Sequence, residues 1–237
     1  MAGRYYLLLW LEAPLQSWGY DSRFGRRSTL EFPTRSGVLG LICCARGAGG
    51  PENNWLNAWM DLDMQVVAYA PSGRNQMVRQ PLLRDFHMVG SGYDEGDPWQ
   101  KLLIPKKSDG GKSVGGGAKL TYRYYVQDMT YAVLLQVPDG MEDELCAAIK
   151  EPVWDLYLGR KCCVPTEFIF QGLFDDAALA LTAASDLADD KKLMPVFKVL
   201  QGEHEGSSVF TLNDVPVQFG QHKIYRDRRV TVQSLEE

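Results

Sequence analysis

Apolar and polar residues follow one another in a pattern that predicts strands and helices in turn. Residues 4–11 form an apolar, aromatic-rich run that is typical of a buried strand. Thr34 or Ser36 can cap a helix that runs to about residue 46, where glycines follow. Residues 64–70 alternate and branch like a second strand, and a Pro-Ser-Gly turn follows them.

The second half of the chain continues this order after a long insertion. Strands are predicted at residues 130–137 and 168–172, with a helix at 141–150 between them. The order strand, helix, strand, strand, helix, strand is that of the ferredoxin-like split βαβ fold, which belongs to the α+β class. Residues 1–172 form this predicted core. Residues 173–237, with a predicted helix and several strand-like runs, form a β-rich C-terminal extension packed on it.

The insertion covers about residues 83–125 and has the pattern of a β-hairpin arm. Residues 78–88 and 119–127 are strand-like, and residues 90–118 between them are rich in glycine and lysine and poor in apolar side chains. A loop of this length inside a compact domain is usually functional or disordered. We therefore expect a hairpin with a long, flexible tip.

Composition excludes several classes of protein. The 237 residues are 45% hydrophobic and 23% charged, as in ordinary globular proteins, and no apolar run is long enough to span a membrane. Four of the five cysteines form the adjacent pairs Cys43-Cys44 and Cys162-Cys163, which lack the spacing of zinc ligands. The glycine-rich motifs that bind phosphate in phosphate loops and in dinucleotide-binding folds are incomplete in this sequence. We expect a cytoplasmic protein without cofactor, metal or membrane segment.

Net charge and charge distribution point in opposite directions. The net charge of −5 argues against a nucleic-acid partner. Residues 21–35, however, carry +2 and residues 99–127 carry +5, so the rest of the chain carries −12. Such segregation predicts a basic site on an acidic body, although loops also collect lysine for solubility.

Three segments combine cations with aromatic residues. They are a loop at residues 16–27, a strand at 122–125 and a turn at 157–161. This mixture suits single-stranded RNA, because guanidinium groups pair with phosphates and aromatic rings stack on unpaired bases. Arg35 begins the first predicted helix, where free backbone N–H groups favour an anion. In the alternative interpretation, the aromatic residues belong to the core and the arginines pair with the acidic body.

One catalytic possibility stays open beside RNA binding. Metal-independent RNA cleavage needs a general base, a general acid and a cation that stabilises the charge developing on the phosphate. His87, with tyrosines and arm lysines nearby in sequence, offers these residue types.

Four motifs carry a resemblance to a known family. They read Ala-Pro-Leu-Gln-Ser-Trp-Gly at residues 13–19, Phe-Pro-Thr-Arg-Ser-Gly-Val-Leu-Gly at 32–40, Arg-Asp-Phe-His at 84–87 and Tyr-Leu-Gly-Arg-Lys-Cys at 157–162. In order and spacing they resemble the fifth CRISPR-associated protein family of the RAMP superfamily, in the form found in type I-E Cascade. The resemblance is loose in residues 91–118 and in the C-terminal third.

This resemblance implies an RRM-like, ferredoxin-like core with a β-hairpin thumb, here the 83–125 arm. It implies a non-catalytic subunit that caps the 5′ handle of the CRISPR RNA. Its other partners are the terminal backbone subunit and the large subunit of Cascade, and target DNA is recognised indirectly through pairing with the guide. Type I-C relatives cleave precursor RNA, so an endoribonuclease is the alternative.

The residues expected to bind RNA come from the charge pattern and from the motifs. Arginines of the N-terminal loop and Arg35 are expected to grip phosphates, and the arm lysines to lie along the guide or a neighbouring subunit. Residues 16–18 are expected to shape a pocket for a hooked 5′ end. A binding module, an endoribonuclease and a structural adaptor are the three functions left open. The full set of residues is Gln16, Ser17, Trp18, Arg23, Arg26, Arg27, Thr34, Arg35, Ser36, Arg84, His87, Lys106, Lys107, Lys112, Arg123, Tyr157, Arg160 and Lys161.

Overall fold

The structure of the protein is a computed structural model that describes residues 5–22, 25–72, 79–89, 107–109, 119–204 and 208–235. It is a mixed α/β structure with a mostly antiparallel sheet, and none of its helices in these ranges combines the length and apolarity needed to cross a membrane. In chain order the elements are β1 (Tyr6–Glu12), β2 (Leu15–Gln16), β3 (Trp18–Gly19), β4 (Arg26–Arg27), β5 (Thr29–Leu30), α1 (Arg35–Ala45), α2 (Asn53–Asn57), β6 (Met64–Pro71), β7 (Leu83–Val89), β8 (Lys119–Gln127), β9 (Thr130–Gln136), α3 (Glu142–Lys150), β10 (Phe170–Phe174), α4 (Ala177–Asp190), β11 (Leu193–Gln201), β12 (Ser208–Gln218) and β13 (Ile224–Ser234).

The predicted strands and helices of the core are found in the predicted order. β1 lies between β9 and β10 and is antiparallel to both. β6 pairs with the other edge of β9, so the order across the sheet is β10, β1, β9, β6. Thr34 caps α1, since its Oγ1 accepts a hydrogen bond from the backbone N–H of Gly37 at 3.1 Å.

The three C-terminal strands extend the same sheet. β11 pairs with β6, and β13 and β12 follow, which gives a single sheet of seven strands. Residues 193–234 therefore share their sheet with the predicted core. Their strand-like sequences indicated β structure, whereas the order of the strands depends on pairing with residues far along the chain.

Both faces of the sheet are covered at its centre. Along β1, Leu7 and Leu9 pack in the same core as α1, whereas Leu8 and Trp10 pack against α4. Because α4 covers one face and α1 and α3 the other, the centre of the sheet is closed to solvent. The small side chains through which α4 approaches the sheet are Ala180, Ala184 and Ala188.

Arg35 is fully buried, so the prediction that it grips a phosphate is wrong. Its guanidinium group donates hydrogen bonds to the carbonyl oxygens of Trp59 and Leu62 and to Gln201 Oε1. Burial, and then the charge of Arg228, lowers the pKa of Arg35 to about 10. The side chain ties α1 to β11 and to the turn after α2.

The chain itself supplies the anion at the start of α1. Asp214 of β12 accepts the backbone N–H of Arg35 at 2.7 Å. The same carboxylate accepts Nε and Nη2 of Arg228 at 2.7 and 2.9 Å, and both side chains are nearly fully buried. The helix N-terminus that was expected to attract an RNA phosphate is therefore occupied by Asp214.

We expect Asp214→Ala to destabilise the chain by about 3–5 kcal/mol, because it leaves Arg228 buried without a counter-charge. Asp61→Ala is the matched control. It removes an exposed ion pair with Arg226 and should cost less than about 1 kcal/mol. Denaturant unfolding measures both free energies, and equal losses in the two variants would contradict the role assigned to Asp214.

Candidate nucleic-acid interface

β7 and β8 pair as antiparallel strands and form one wall of the site. Asp85 lies opposite Arg123, and His87 lies opposite Thr121. Because side chains alternate along a strand and opposed residues share a face, Asp85, His87, Arg123 and Tyr125 lie on one face of the pair. Of the expected tip, residues 90–118, the structure describes only residues 107–109.

β8 also joins this pair to the N-terminal loop. Its C-terminal end pairs with β2, and its middle, at Tyr122 and Arg123, pairs in parallel with β4 at Arg26 and Arg27. The backbone N–H of Tyr122 donates to Gly25 O at 2.7 Å. Two of the three basic segments seen in the sequence therefore lie side by side.

The third segment, residues 157–163, packs closely against the same loop. The backbone N–H of Ser17 donates to Leu158 O at 3.1 Å. A Cβ on Gly159 would lie only 1.7 Å from Ser17 O, and Gly159 has a φ of +91°. Only glycine satisfies both conditions, and this fit sets Arg160 beside β8.

Arg160 is held in place by β8 and by the loop. Its guanidinium carbon lies 4.4 Å from the centroid of the Tyr125 ring, and Nη2 donates to Arg27 O at 3.1 Å. Nη1 is buried and finds no hydrogen-bond partner in the described part of the chain. Burial raises the pKa of Tyr125, so its phenol is neutral beside the Arg160 guanidinium.

β7, β8 and the turn at residues 157–162 line a cleft of about 950 Å³, and Leu15 of β2 completes the lining. The described lining contains four arginine and lysine side chains and one carboxylate, Asp85, which lies 3.3 Å from Nδ1 of His87. The cleft thus has an excess of positive charge although the whole chain is anionic. The predicted site residues in its lining are Arg84, His87, Arg123, Tyr157, Arg160 and Lys161.

Two guanidinium groups stack on tyrosines of the opposite face of β8. Arg26 lies over Tyr124 at 5.0 Å and Arg84 over Tyr122 at 5.6 Å, measured from the guanidinium carbon to the ring centroid. Stacking orients a guanidinium group and leaves its N–H groups free for phosphate oxygens. Arg26, Arg27 and Arg84 are exposed, so cations surround the cleft as well as line it.

Comparison with known families identifies the chain. The model of a family described as CRISPR-associated protein (Cas_Cas5) matches residues 6–231, which is nearly the whole sequence. The chain belongs to this family.

Relatives of this Cas_Cas5 family member include the CRISPR system Cascade subunit CasD of Escherichia coli (strain K12), which is 29% identical over 173 residues, or 71% of each chain. A chain from a solved structure named CRISPR RNA-guided surveillance complex has a TM-score of 0.67 and 26% identity, and the match covers 97% of this chain and 89% of that chain. Another, named Crystal structure of Cas protein, has a TM-score of 0.56 and 23% identity over 97% and 94% of the two chains, and it shows the fold alone.

Several predicted residues of this Cas_Cas5 chain lie away from the cleft. Gln16 is fully buried, with Nε2 donating to Leu11 O at 3.0 Å and to Met129 O at 2.7 Å. The prediction that Gln16 binds RNA is therefore wrong, because its amide fastens the loop to the core. The other polar and aromatic residues predicted here line a neighbouring pocket instead, namely Ser17, Trp18, Thr34 and Ser36. Lys107 is exposed, and the predicted residues outside the described ranges are Arg23, Lys106 and Lys112.

Some site residues were missed in the sequence. The pairing of Asp85 with His87 could have been found, since alternate residues of a strand share a face. Lys223 and Tyr225, which line the neighbouring pocket, come from the C-terminal strands and carry no local motif. Only the tertiary fold brings them to the N-terminal loop.

We expect Gly159→Ala to lower the free energy of unfolding by more than about 2 kcal/mol, because strain at a positive φ is joined by overlap of Cβ with Ser17 O. Gly202→Ala is the control, since Gly202 has a φ of +90° but open space around its Cβ position. Gly202→Ala should lower the free energy of unfolding only by the cost of backbone strain, about 1–2 kcal/mol. Unfolding curves of the two variants measure the difference, and a smaller loss for Gly159→Ala would be inconsistent with this close approach.

Proposed function

We propose that this protein is a non-catalytic, CRISPR RNA-binding subunit of a type I-E-like Cascade surveillance complex, and that its cleft caps the 5′ handle of the guide in antiviral defence. The observation that carries the proposal is a cleft of about 950 Å³ lined by four cations from β7, β8 and the 157–161 turn, with the exposed arginines of β4 paired to β8 beside it. Membership of the Cas_Cas5 family and the name of the Escherichia coli relative support it.

The chemistry of the cleft suits a flexible polyanion better than a small ligand. Arg84, Arg123 and Arg160 lie on β7, on β8 and on the 157–161 turn, so they can follow a phosphate backbone rather than surround one phosphate. Tyr157 offers an aromatic ring in the same lining, and single-stranded RNA presents unpaired bases that stack on such rings.

We also propose that the core is ferredoxin-like (RRM-like) and that β7 and β8 form its thumb. The sheet order β10, β1, β9, β6 supports this, because it places the first core strand between the third and the fourth. β7 and β8 are inserted between β6 and β9 in the chain. α4 covers the sheet face that an RRM uses for RNA, so the guide lies at the rim, between the thumb and the 157–163 turn.

Protein partners are the terminal backbone subunit and the large subunit, and target DNA is contacted indirectly through the guide. A hollow beside the cleft shares Tyr157 and Lys161 with it and is lined by exposed apolar side chains, which supports a protein partner there. Trp154 is 60% exposed and Phe168 is 83% exposed, and Val164 is exposed as well. Apolar side chains of this size are seldom left together on the surface of a monomer.

A second candidate function, metal-independent cleavage of precursor RNA, is favoured by one observation. His87 and Asp85 form a pair inside the cationic cleft, with the imidazole 45% exposed. In this alternative His87 removes the proton from a 2′-hydroxyl that attacks the adjacent phosphorus, and a 5′-hydroxyl leaves with a proton from a general acid. A cation such as Arg123 stabilises the charge on the phosphorane.

We expect the double variant Arg84→Ala with Lys161→Ala to bind single-stranded repeat RNA roughly tenfold more weakly, because both side chains are exposed cations in the cleft. The slope of log K against log salt should become shallower by about 0.7 for each phosphate that the variant no longer neutralises. Filter binding with the purified chain at several salt concentrations measures both.

The control for this variant is Arg226→Ala with Arg229→Ala, which removes the same charge from exposed ion pairs on β13. The control should keep the slope of the unchanged protein. If the cleft variant also kept its affinity and slope, the protein would be a structural adaptor and the proposal would fail.

We expect repeat RNA to remain intact when it is incubated with the purified chain in EDTA, since the proposed role is non-catalytic. Denaturing gels of end-labelled RNA measure cleavage. Cleavage that persists in EDTA, is lost in His87→Ala and is retained in the exposed-histidine control His222→Ala would establish the endoribonuclease instead.

A further inference from the structure

The 157–163 turn ends in two adjacent cysteines whose surroundings differ. Cys162 is an exposed free thiol in the lining of the cleft, whereas Cys163 is a free thiol that is 1% exposed and belongs to the main core. Burial, and then the charge of the neighbouring Cys162, raises the pKa of Cys163 to about 12, so its sulfur stays protonated at pH 7. An oxidant in solution therefore reaches Cys162 first.

The Cys162 thiol contacts the tyrosine that orients a cation of the cleft. Its Sγ lies 3.7 Å from the hydroxyl oxygen of Tyr125, which is within hydrogen-bond range for sulfur. The guanidinium carbon of Arg160 lies 4.4 Å from the centroid of the same tyrosine ring. Moving the sulfur of Cys162 therefore changes the surroundings of Arg160.

Backbone hydrogen bonds join Arg160 and Cys163 in one tight turn. The N–H of Cys163 donates to Arg160 O at 2.8 Å, and Cys163 O accepts the N–H of Leu158 at 2.8 Å. Leu158 O in turn accepts the N–H of Ser17 from the N-terminal loop. The backbone conformation of the two cysteines is therefore coupled to the position of Arg160 in the cleft.

The other adjacent pair of cysteines, Cys43 and Cys44, has a backbone that keeps its sulfurs apart. Both residues lie inside α1, where successive side chains point about 100° apart around the helix axis. Cys43 is buried, and Cys44 Sγ donates to Asp155 O at 3.7 Å. Cys162 and Cys163 lie in the connection between α3 and β10, so no helical hydrogen bonds have to break before their sulfurs can meet.

We infer that Cys162 and Cys163 form a reversible disulfide when the protein meets a hydroperoxide, and that this bond weakens the binding of RNA in the cleft. The effect on RNA rests on the proposed function, whereas the formation of the bond does not. The pair is then a site of oxidative modification that regulates the cleft.

The reaction is a two-electron oxidation of the pair. The Cys162 thiolate attacks one oxygen of hydrogen peroxide, the O–O bond breaks, and Cys162 becomes a sulfenic acid. The hydroxide that leaves takes up the proton of the original thiol and becomes water. The sulfur of Cys163 then displaces the sulfenic oxygen, and its own proton leaves with that oxygen as a second water. Each sulfur loses one electron, and the peroxide gains two.

The disulfide changes the turn because adjacent residues lie closer together than ordinary disulfide partners. Their Cα atoms are about 3.8 Å apart across a trans peptide, compared with roughly 4.4–6.8 Å in most disulfides, so the backbone has to rotate. This rotation takes the Cys162 sulfur away from Tyr125 and disturbs the hydrogen bond from the N–H of Cys163 to Arg160 O. A strained, exposed disulfide is also easily reduced, which makes the modification reversible.

The test treats the purified chain with hydrogen peroxide and measures the disulfide and RNA binding separately. Trypsin places the two adjacent pairs in different peptides, residues 36–46 and 162–191. By mass spectrometry, we expect only the second peptide to lose two hydrogen atoms. In filter binding, single-stranded repeat RNA should bind about tenfold more weakly, the order of one charge-assisted hydrogen bond. Dithiothreitol should restore the affinity, which it would not do after oxidation of methionine or of a thiol to sulfinic acid.

Cys162→Ser should lose both the disulfide and the effect of peroxide on affinity, and its exposed position protects the core from the change. Cys44→Ser is the matched control, because it removes one thiol from the other adjacent pair, and it should keep both. In Cys163→Ala the sulfenic acid on Cys162 has no adjacent thiol, so dimedone should label it. Each variant is compared with itself before and after peroxide, so that a change in its basal affinity does not affect the result.

The outcomes separate this regulation from the proposed function. Absence of the disulfide from the 162–191 peptide, or equal oxidation of the 36–46 peptide, would overturn the inference and leave the proposed function intact. A disulfide that left the affinity for RNA unchanged, or a loss of affinity that also occurred in Cys162→Ser, would overturn it as well. Failure of the untreated chain to bind RNA would refute the proposed function and with it the regulation, while the peptide mass would still show whether the two cysteines pair.

Discussion

The backbone pairing of β8 is the interaction on which the candidate site depends. At Tyr122 this strand pairs with β7 on one edge and with β4 on the other, and its end also pairs with β2. Main-chain hydrogen bonds fix the spacing of the three partners, so the arginines of β4, β7 and β8 lie in one region whatever rotamers they adopt. Gly159 adds one more contact to this region. Its close approach to Ser17 places the Arg160 guanidinium over the ring of Tyr125 on β8.

The covered sheet explains why the site lies at an edge of the molecule. A four-stranded antiparallel sheet with helices on one face leaves the other face for a ligand, but here α4 lies on that face. Its three alanines let it approach closely, which removes the centre of the sheet from solvent. The β7–β8 pair, the N-terminal loop and the 157–161 turn remain accessible, and the cations that line or border the cleft lie on these.

Local pattern predicted the elements well because their causes are local. The apolar run of β1, the cap at Thr34 and the strand at 119–127 all depend on neighbours in sequence. The roles of Arg35 and Gln16 were predicted wrongly because their partners are distant. Asp214 lies 179 residues from Arg35, and Met129 lies 113 residues from Gln16. The residues around Arg35 and Gln16 do not indicate that a carboxylate or a backbone carbonyl so far along the chain will bind them. The basic turn at 157–161, in contrast, was predicted from its own residues.

The hydrogen bonds of Asp214 with Arg228 and with the start of α1 have a consequence for folding during translation. α1 leaves the ribosome long before residue 214 has been made, so the backbone N–H of Arg35 emerges without its carboxylate partner, and the Arg35 guanidinium emerges before Gln201 is available. Contacts this far apart in sequence form late. The N-terminal half of the nascent chain therefore reaches its final arrangement only when the last strands join the sheet. A chain truncated before Asp214 would lose this anchor even though every motif of its N-terminal half is present.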